Sequence, residues 1–162
     1  MSLPGNHGEV SARFRTGDDV EQLTMRSGTV ALFVAPGAVT AGQFGLFEWR
    51  MLPRSGGADP HFHKTFSESF YIMSGAVRLY NGEAWTEARQ GDFLYVPPRG
   101  VHAFRNDGDE PASMLILFAP GAPREAYFRE LADIGATGRQ LTWDEWTELY
   151  ARHDQYRAEG AD

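Results

Sequence analysis

From Val20 to Phe118 the chain is written in short β-branched and aromatic runs closed off by turn residues, and this punctuation limits the fold more than any other feature. The runs over residues 20–25, 29–34 and 43–51 predict strands, separated by Arg26-Ser27-Gly28 and by Pro36-Gly37. In the third run Phe47, Trp49 and Met51 alternate with Glu48 and Arg50, the pattern of a strand with one face buried. Residues 53–60, rich in Gly and Ser, read as a loop that delivers the chain to a strand at His61. Residues 68–80 predict one or two strands bent at Gly75. Asn81-Gly82, between residues 77–80 and 83–86, predicts a hairpin because both turn residues tolerate positive φ. Further strands over residues 92–96, 101–106 and 113–118 bring the spacing to about ten residues per strand, which predicts an antiparallel sandwich or barrel.

After Pro120 the period becomes helical. Pro123 sits where a first-turn proline is tolerated, Tyr127, Phe128, Leu131 and Ile134 recur on one face, and Gly135 is expected to end the run. A second helix opens at Thr142, where Glu145 completes a capping box and Leu141 and Trp146 are placed as a hydrophobic staple. Arg124, Glu125, Arg129 and Glu130 read as a solvated helix face, and His153 as a solvent residue at a helix C-terminus. The expected division is an N-terminal arm over 1–19, a β-barrel over 20–119 and a helical extension over 120–162 packed on the barrel's outside, with 154–162 fraying.

At 162 residues, with 42% hydrophobic and 13% aromatic residues, one domain can bury its own core. The net charge of −7 and the lack of any basic run argue against nucleic acid as a partner. Zero cysteines exclude disulfides, thiolate metal sites and cysteine nucleophiles, and fit a reducing, cytoplasmic setting. Neither a signal peptide nor a membrane-spanning run is expected.

The chemistry concentrates in the stretch from His61-Phe62-His63 to Glu68. Two histidines one residue apart point to the same face of a strand, so both imidazoles can reach one ion. Glu68 comes after a short loop; of the five histidines, His102 is the natural further ligand, while His7 reads as a solvated bystander. Three imidazoles and a carboxylate offer an N/O shell to one divalent transition ion, whether Fe, Mn, Ni, Co, Cu or Zn, with positions left open. Strand parity from these ligands brings Phe70, Ile72 and Phe104 inward, and the strand over residues 43–51 adds Phe47 and Trp49, predicting an aromatic, apolar pocket for a small molecule.

In order, His61, His63, Glu68 and Gly75, then fifteen intervening residues, then Gly91, Pro97, His102 and Asn106 resemble the two motifs of the cupin superfamily. Two positions depart from that pattern: Ser55 stands where the first motif opens on glycine, and Arg99, beside Gly100, where the second has another. The resemblance implies an all-β, double-stranded β-helix or jelly-roll barrel, with His61, His63, Glu68 and His102 holding one metal ion and Glu68 serving in some members as a base. The tail from Ala119-Pro120-Gly121 through Glu125, Tyr127 and Phe128 to Glu130 resembles that of bacterial quercetin dioxygenase-like cupins. That second resemblance implies a dioxygenase acting on a small aromatic or enediol substrate. The alternatives are a non-oxidative isomerase or polyketide-type cyclase, and a ligand-binding protein without turnover. Such barrels commonly pair, so a homodimer is expected, with Ser69, Tyr71 and Met73 on the outward parity.

Overall fold

A computed structural model describes residues 5–159. Its strands are β1 (Gln22–Thr24), β2 (Val30–Ala35), β3 (Gly45–Met51), β4 (Gly56–Phe62), β5 (Ser67–Ser74), β6 (Ala76–Tyr80), β7 (Trp85–Arg89), β8 (Phe93–Val96), β9 (His102–Asn106) and β10 (Ala112–Ala119). Helices α1 (Arg124–Thr137) and α2 (Trp143–Arg152) and a short strand β11 (Tyr156–Arg157) follow. All pairings are antiparallel, in a six-stranded sheet ordered β1-β2-β3-β10-β5-β8 and a five-stranded sheet ordered β11-β4-β9-β6-β7.

The two sheets close on each other through alternate residues. Phe47, Trp49 and Met51 from β3, Phe70 and Ile72 from β5, and Met114, Ile116 and Phe118 from β10 meet Val77, Leu79 and Phe104 in one buried core. Trp49 and Phe70 span the gap to Phe104, with ring centroids 6.4 and 5.8 Å apart. The alternation read from β3 is thus the inner wall of a jelly roll, an architecture in which one face of each sheet is covered and the other wet.

Residues 53–60 are only partly the expected loop, because β4 begins at Gly56. The glycines there serve pairing: a Cβ on Gly57 would lie 1.9 Å from the Phe104 carbonyl oxygen, and Gly56 holds φ at +71°. Pro60 is accommodated where the β4–β9 register shifts between Ala58 and His61. Gly75 (φ +70°) makes the bend between β5 and β6, and a Cβ there would meet the Pro111 carbonyl at 2.4 Å. The hairpin at Asn81-Gly82 is a four-residue connection rather than a two-residue one. Tyr80 pairs with Trp85, and the Asn81 side chain accepts hydrogen bonds from the Glu83 and Ala84 amides.

Helix α1 runs through Gly135 and is capped instead by Gly138 in the left-handed conformation. Gly135 is small because the helix passes close to Arg26, whose Cβ would stand 3.1 Å from a Cβ on that glycine. Phe128 packs on Phe33, Phe47, Trp49 and Phe118, so α1 meets the inward-facing residues at an open end of the barrel as well as its rim. The Thr142–Glu145 capping box of α2 is present, and Leu141 and Trp146 both pack on the core. Residues 154–159 are ordered rather than frayed: Tyr156 and Arg157 pair with Phe62 and His61, and the Ala158 amide donates to the Pro60 carbonyl. Positions 160–162 of the expected fray and 1–4 of the arm lie outside the described residues.

Candidate metal centre

His61 lies near the end of β4, His63 just beyond it, Glu68 on β5, and His102 opens β9. Phe62 points the other way and stacks on Tyr156 at 5.5 Å, as alternation requires. His61 is the cross-strand partner of His102, so the β4–β9 pairing itself brings those two rings within 4.3 Å. The four side chains are 5%, 2%, 4% and 0% exposed in chain order, and one potential ligand atom from each lies within 4.8 Å of all the others.

Each imidazole is fixed by its outer nitrogen. His61 Nδ1–H donates to the Asp59 carbonyl (2.7 Å), His63 Nδ1–H to the Asp154 carbonyl (2.6 Å) and His102 Nδ1–H to the Gly100 carbonyl (3.0 Å). A carbonyl only accepts, so each Nδ1 carries the hydrogen and each Nε2 is directed at the centre. Nε2 of His63 and of His102 lie 2.9 and 2.7 Å from one oxygen of Glu68. Lone pairs at that separation repel unless a positive charge lies between them: a proton on each ring, or one cation shared by all. The donor set and its orientation therefore fit a divalent ion, with three nitrogens and a carboxylate oxygen.

Burial and the contacts between Glu68 and the imidazoles shift the titrations of the cluster in different directions. Burial by itself raises the Glu68 pKa, but the His102 charge, the hydrogen bonds from His102 and His63 and the His63 charge hold it well below the ordinary carboxylate range. Burial lowers and Glu68 raises the His102 pKa, and the net direction is upward. His61, without a close contact to Glu68, is pushed down to about 3, chiefly by burial and next by the His102 charge. It is neutral at any ordinary pH, the state a metal ligand needs.

A cavity of about 390 Å³ opens onto His61 and Glu68, with His63 and His102 set behind them. Of the five expected pocket residues, Trp49 and Phe104 line it. Phe47, Phe70 and Ile72 are fully buried behind the wall, where Phe70 backs the His102 ring at 5.8 Å. The rest of the aromatic wall comes from Phe118 and from α1 and α2, through Tyr127 and Phe128 and through Trp143, Trp146 and Tyr150. Parity along single strands shows which residues face inward; the separation of core from cavity depends on where a helix fills the barrel's end.

Three further residues matter at the site. Arg124 is 3% exposed, not part of a solvated face, and its guanidinium lies among Phe66, Phe118, Tyr127 and Phe128, 4.3 Å from the Tyr127 centroid. It donates to the His153 carbonyl (2.6 Å) and to Gln155 Oε1 (3.0 Å). A positive residue in the first turn runs against the helix dipole, which is the sequence signal that it is there for another reason. Asp154, whose carbonyl holds His63, accepts with its carboxylate from the Lys64 and Thr65 amides at 2.8 and 2.9 Å. No sequence pattern announces that contact across about ninety positions. His153 is half-buried and pairs with Glu130 at 2.7 Å rather than facing solvent. Both motif departures are visible: Arg99 adopts φ +71°, and Ser55 Oγ is buried without a partner.

Comparison with known proteins places the chain. The cupin domain family matches residues 47–118, from within β3 to within β10. Protein SchB of Streptomyces halstedii is 32% identical over 117 residues, covering 72% of this chain and 83% of SchB, and the chain belongs to the cupin family. Polyketide synthase CurC of Streptomyces cyaneus is 32% identical over 110 residues, 65% of this chain and 68% of CurC. Quercetin 2,3-dioxygenase of Bacillus subtilis (strain 168) is 33% identical over 73 residues, 45% of this chain but only 21% of that enzyme's length.

Proposed function

We propose that the protein is a metal-dependent dioxygenase acting on a small phenolic or enediol substrate, with His61, His63, His102 and Glu68 as the metal's ligands and Glu68 also as the proton acceptor. The observation that carries this reading is the burial of an ionised Glu68 between two imidazoles at the end of an aromatic-walled cavity. A divalent transition ion held there supplies Lewis acidity that lowers the pKa of a substrate hydroxyl, together with redox access to dioxygen when it is Fe, Mn, Ni, Co or Cu. The chain's own residues do the rest. Trp49, Phe104 and Phe128 take a planar ring face-on or edge-on and exclude water from it. Glu68 Oε1, the oxygen not engaged by His63 and His102, faces the substrate hydroxyl and receives its proton. Carbonyls of Asp59, Gly100 and Asp154 keep the imidazoles from turning as the charge at the centre changes. The 33% identity with quercetin 2,3-dioxygenase over 73 residues supports oxygenation.

The match to CurC over most of that protein's length favours a second reading, a non-oxidative cyclisation or isomerisation in which the same Glu68 moves a proton without oxygen. Anaerobic mixing of metal-loaded protein with flavonols and related enediols, followed by admission of oxygen, separates the two. Oxygen uptake in step with substrate loss supports the dioxygenase. Conversion of substrate before oxygen enters favours the second reading, and binding of a substrate that is later released unchanged leaves a binding protein.

The same proposal includes a homodimer in the cytoplasm. The outward face of β5 and β8 exposes Tyr71, Met73, Phe93 and Tyr95, although Ser69 on that parity is buried. Among the described residues no helix is long and apolar enough to cross a membrane.

A further inference from the structure

Among the described residues, two buried side-chain polar atoms have no hydrogen-bond partner, Arg124 Nε and Ser55 Oγ, and both residues line the cavity that opens onto Glu68. A buried donor left unpaired is costly, and native structures retain such a group where something else satisfies it. Arg124 is the more telling of the two. A guanidinium carries five N–H donors, and only one contact from each terminal nitrogen is used, to the His153 carbonyl and to Gln155. Neither acceptor is charged, and among the described residues no carboxylate lies within ion-pair distance of Arg124. A buried charge without a counter-ion is a standing cost that a hydrophobic residue in the same aromatic surroundings would avoid.

We propose that Arg124 forms a carboxylate subsite beside the metal centre, so that the substrate is an aromatic or enolic acid whose carboxylate docks on the guanidinium, with Ser55 as a further donor to the bound molecule. This deepens the function proposed above and rests on it for the reacting end of the substrate. The charge of the cavity points the same way. Glu68 with a divalent ion and three neutral imidazoles sums to a single positive charge; Arg124, Arg26 and Arg157 of the lining add three more, of which Arg124 alone is buried, against one exposed Asp59. A planar carboxylate matches the guanidinium fork, and the rings of Phe66, Phe118, Tyr127 and Phe128 hold that fork in place. The phenolic or enolic oxygen then faces Glu68 while the acid end is held by α1. Arg124 is in this sense a specificity-determining residue contributed by the helical extension, not by the barrel.

The experiment is a binding comparison of benzoate with benzamide, which share shape and differ in charge, followed by quenching of tryptophan fluorescence from Trp49 and Trp146 in the cavity wall. Wild type, Arg124→Gln and Arg124→Lys are each measured zinc-loaded and metal-stripped, with circular dichroism confirming the fold. Wild type is expected to prefer benzoate by about tenfold or more, the worth of a charge-assisted pair in a closed site. Arg124→Gln should bring the two probes within about twofold of each other, and Arg124→Lys, which keeps the charge but not the fork, should fall between. The preference should survive metal removal in wild type, so its persistence in a protein that shows no turnover separates this subsite from the reaction proposed above. Equal affinity of wild type for both probes overturns the inference. So does a benzoate preference undiminished in folded Arg124→Gln, or one that vanishes on metal removal, since either assigns the carboxylate elsewhere. If Arg124→Gln does not fold, the same outcomes are read from Arg124→Lys and from the metal-stripped wild type.

Discussion

Replacing Asp154 tests whether the chain's C-terminal turn belongs to the metal centre. Its carboxylate accepts from the Lys64 amide at 2.8 Å, the Thr65 amide at 2.9 Å and the Thr65 hydroxyl, all in the turn between His63 and Glu68. Its own carbonyl holds His63 Nδ1 at 2.6 Å. Asp154→Ala removes three charge-assisted bonds from a partly wet turn, about 2 kcal/mol after water replaces them. The residue also sits at φ +52°, where alanine is strained by about 1 kcal/mol more. The sum, about 3 kcal/mol, corresponds to a fall in Tm of about 6–12 °C for a chain of this size. Asp154→Asn keeps the left-handed preference and one acceptor, and should cost about 1 kcal/mol. Because the His63 ring is oriented by the backbone that this side chain anchors, zinc affinity should weaken by about tenfold in Asp154→Ala, within the range for the partners that orient metal ligands. Calorimetry gives both quantities on one sample. A variant that loses the stability but binds zinc as wild type does would refute the reasoning, because the His63 ring would then be held without Asp154.

Four other outcomes follow from the same geometry. Gly57→Ala puts a methyl group 1.9 Å from the Phe104 carbonyl and should cost several kcal/mol while parting His61 from His102, whereas Gly56→Ala, strained only by φ +71° with open space around it, should cost about 1 kcal/mol; urea titration ranks them. Glu130 has its pKa lowered overall: burial opposes this, and the His153 and Arg152 hydrogen bonds outweigh it, so its stabilising contribution is present above the unfolded carboxylate pKa and is lost as pH falls through the folded one. Glu130→Gln should therefore destabilise the protein by under about 1 kcal/mol at pH 7 and by progressively less as the pH is lowered, read from thermal melts across that range. Arg99→Gly relieves a left-handed non-glycine residue and should raise Tm by about 2–4 °C in a thermal melt. On the proposed dioxygenase reading, Glu68→Gln removes the proposed proton acceptor and weakens one of four proposed ligands, so the protein should still take up metal at higher concentration but show no turnover in an oxygen electrode.

Legibility in the sequence differs from residue to residue. Alternation in β3, β5 and β10 reports directly which side chains face inward, because a pleat leaves two faces and only one is dry. The same parity puts His61 and His63 on one face, the resemblance to the two cupin motifs adds Glu68 and His102 to them, and the Thr142 capping box is local enough to be read from four residues. Features governed by long-range contact are hidden. Gly56-Gly57 looks like a loop until the Phe104 backbone is seen against it, and Gly135 looks like a helix stop until Arg26 is seen across from it. Asp154 looks like an ordinary surface residue and Arg124 carries only the faint signal of a cation in a helix's first turn, because burial of a charged side chain depends on elements far away in the chain: Phe66 and Phe118 for Arg124, the turn at Lys64 for Asp154.

Whether three imidazoles and Glu68 form one metal site is tested most directly by titrating the metal-stripped protein with Co²⁺ and following visible absorption. Saturation at one ion per chain is predicted, with the absorption bands lost in folded His61→Ala and His102→Ala variants. Absence of saturable binding, or bands that persist in both variants, would contradict a site built from these four side chains.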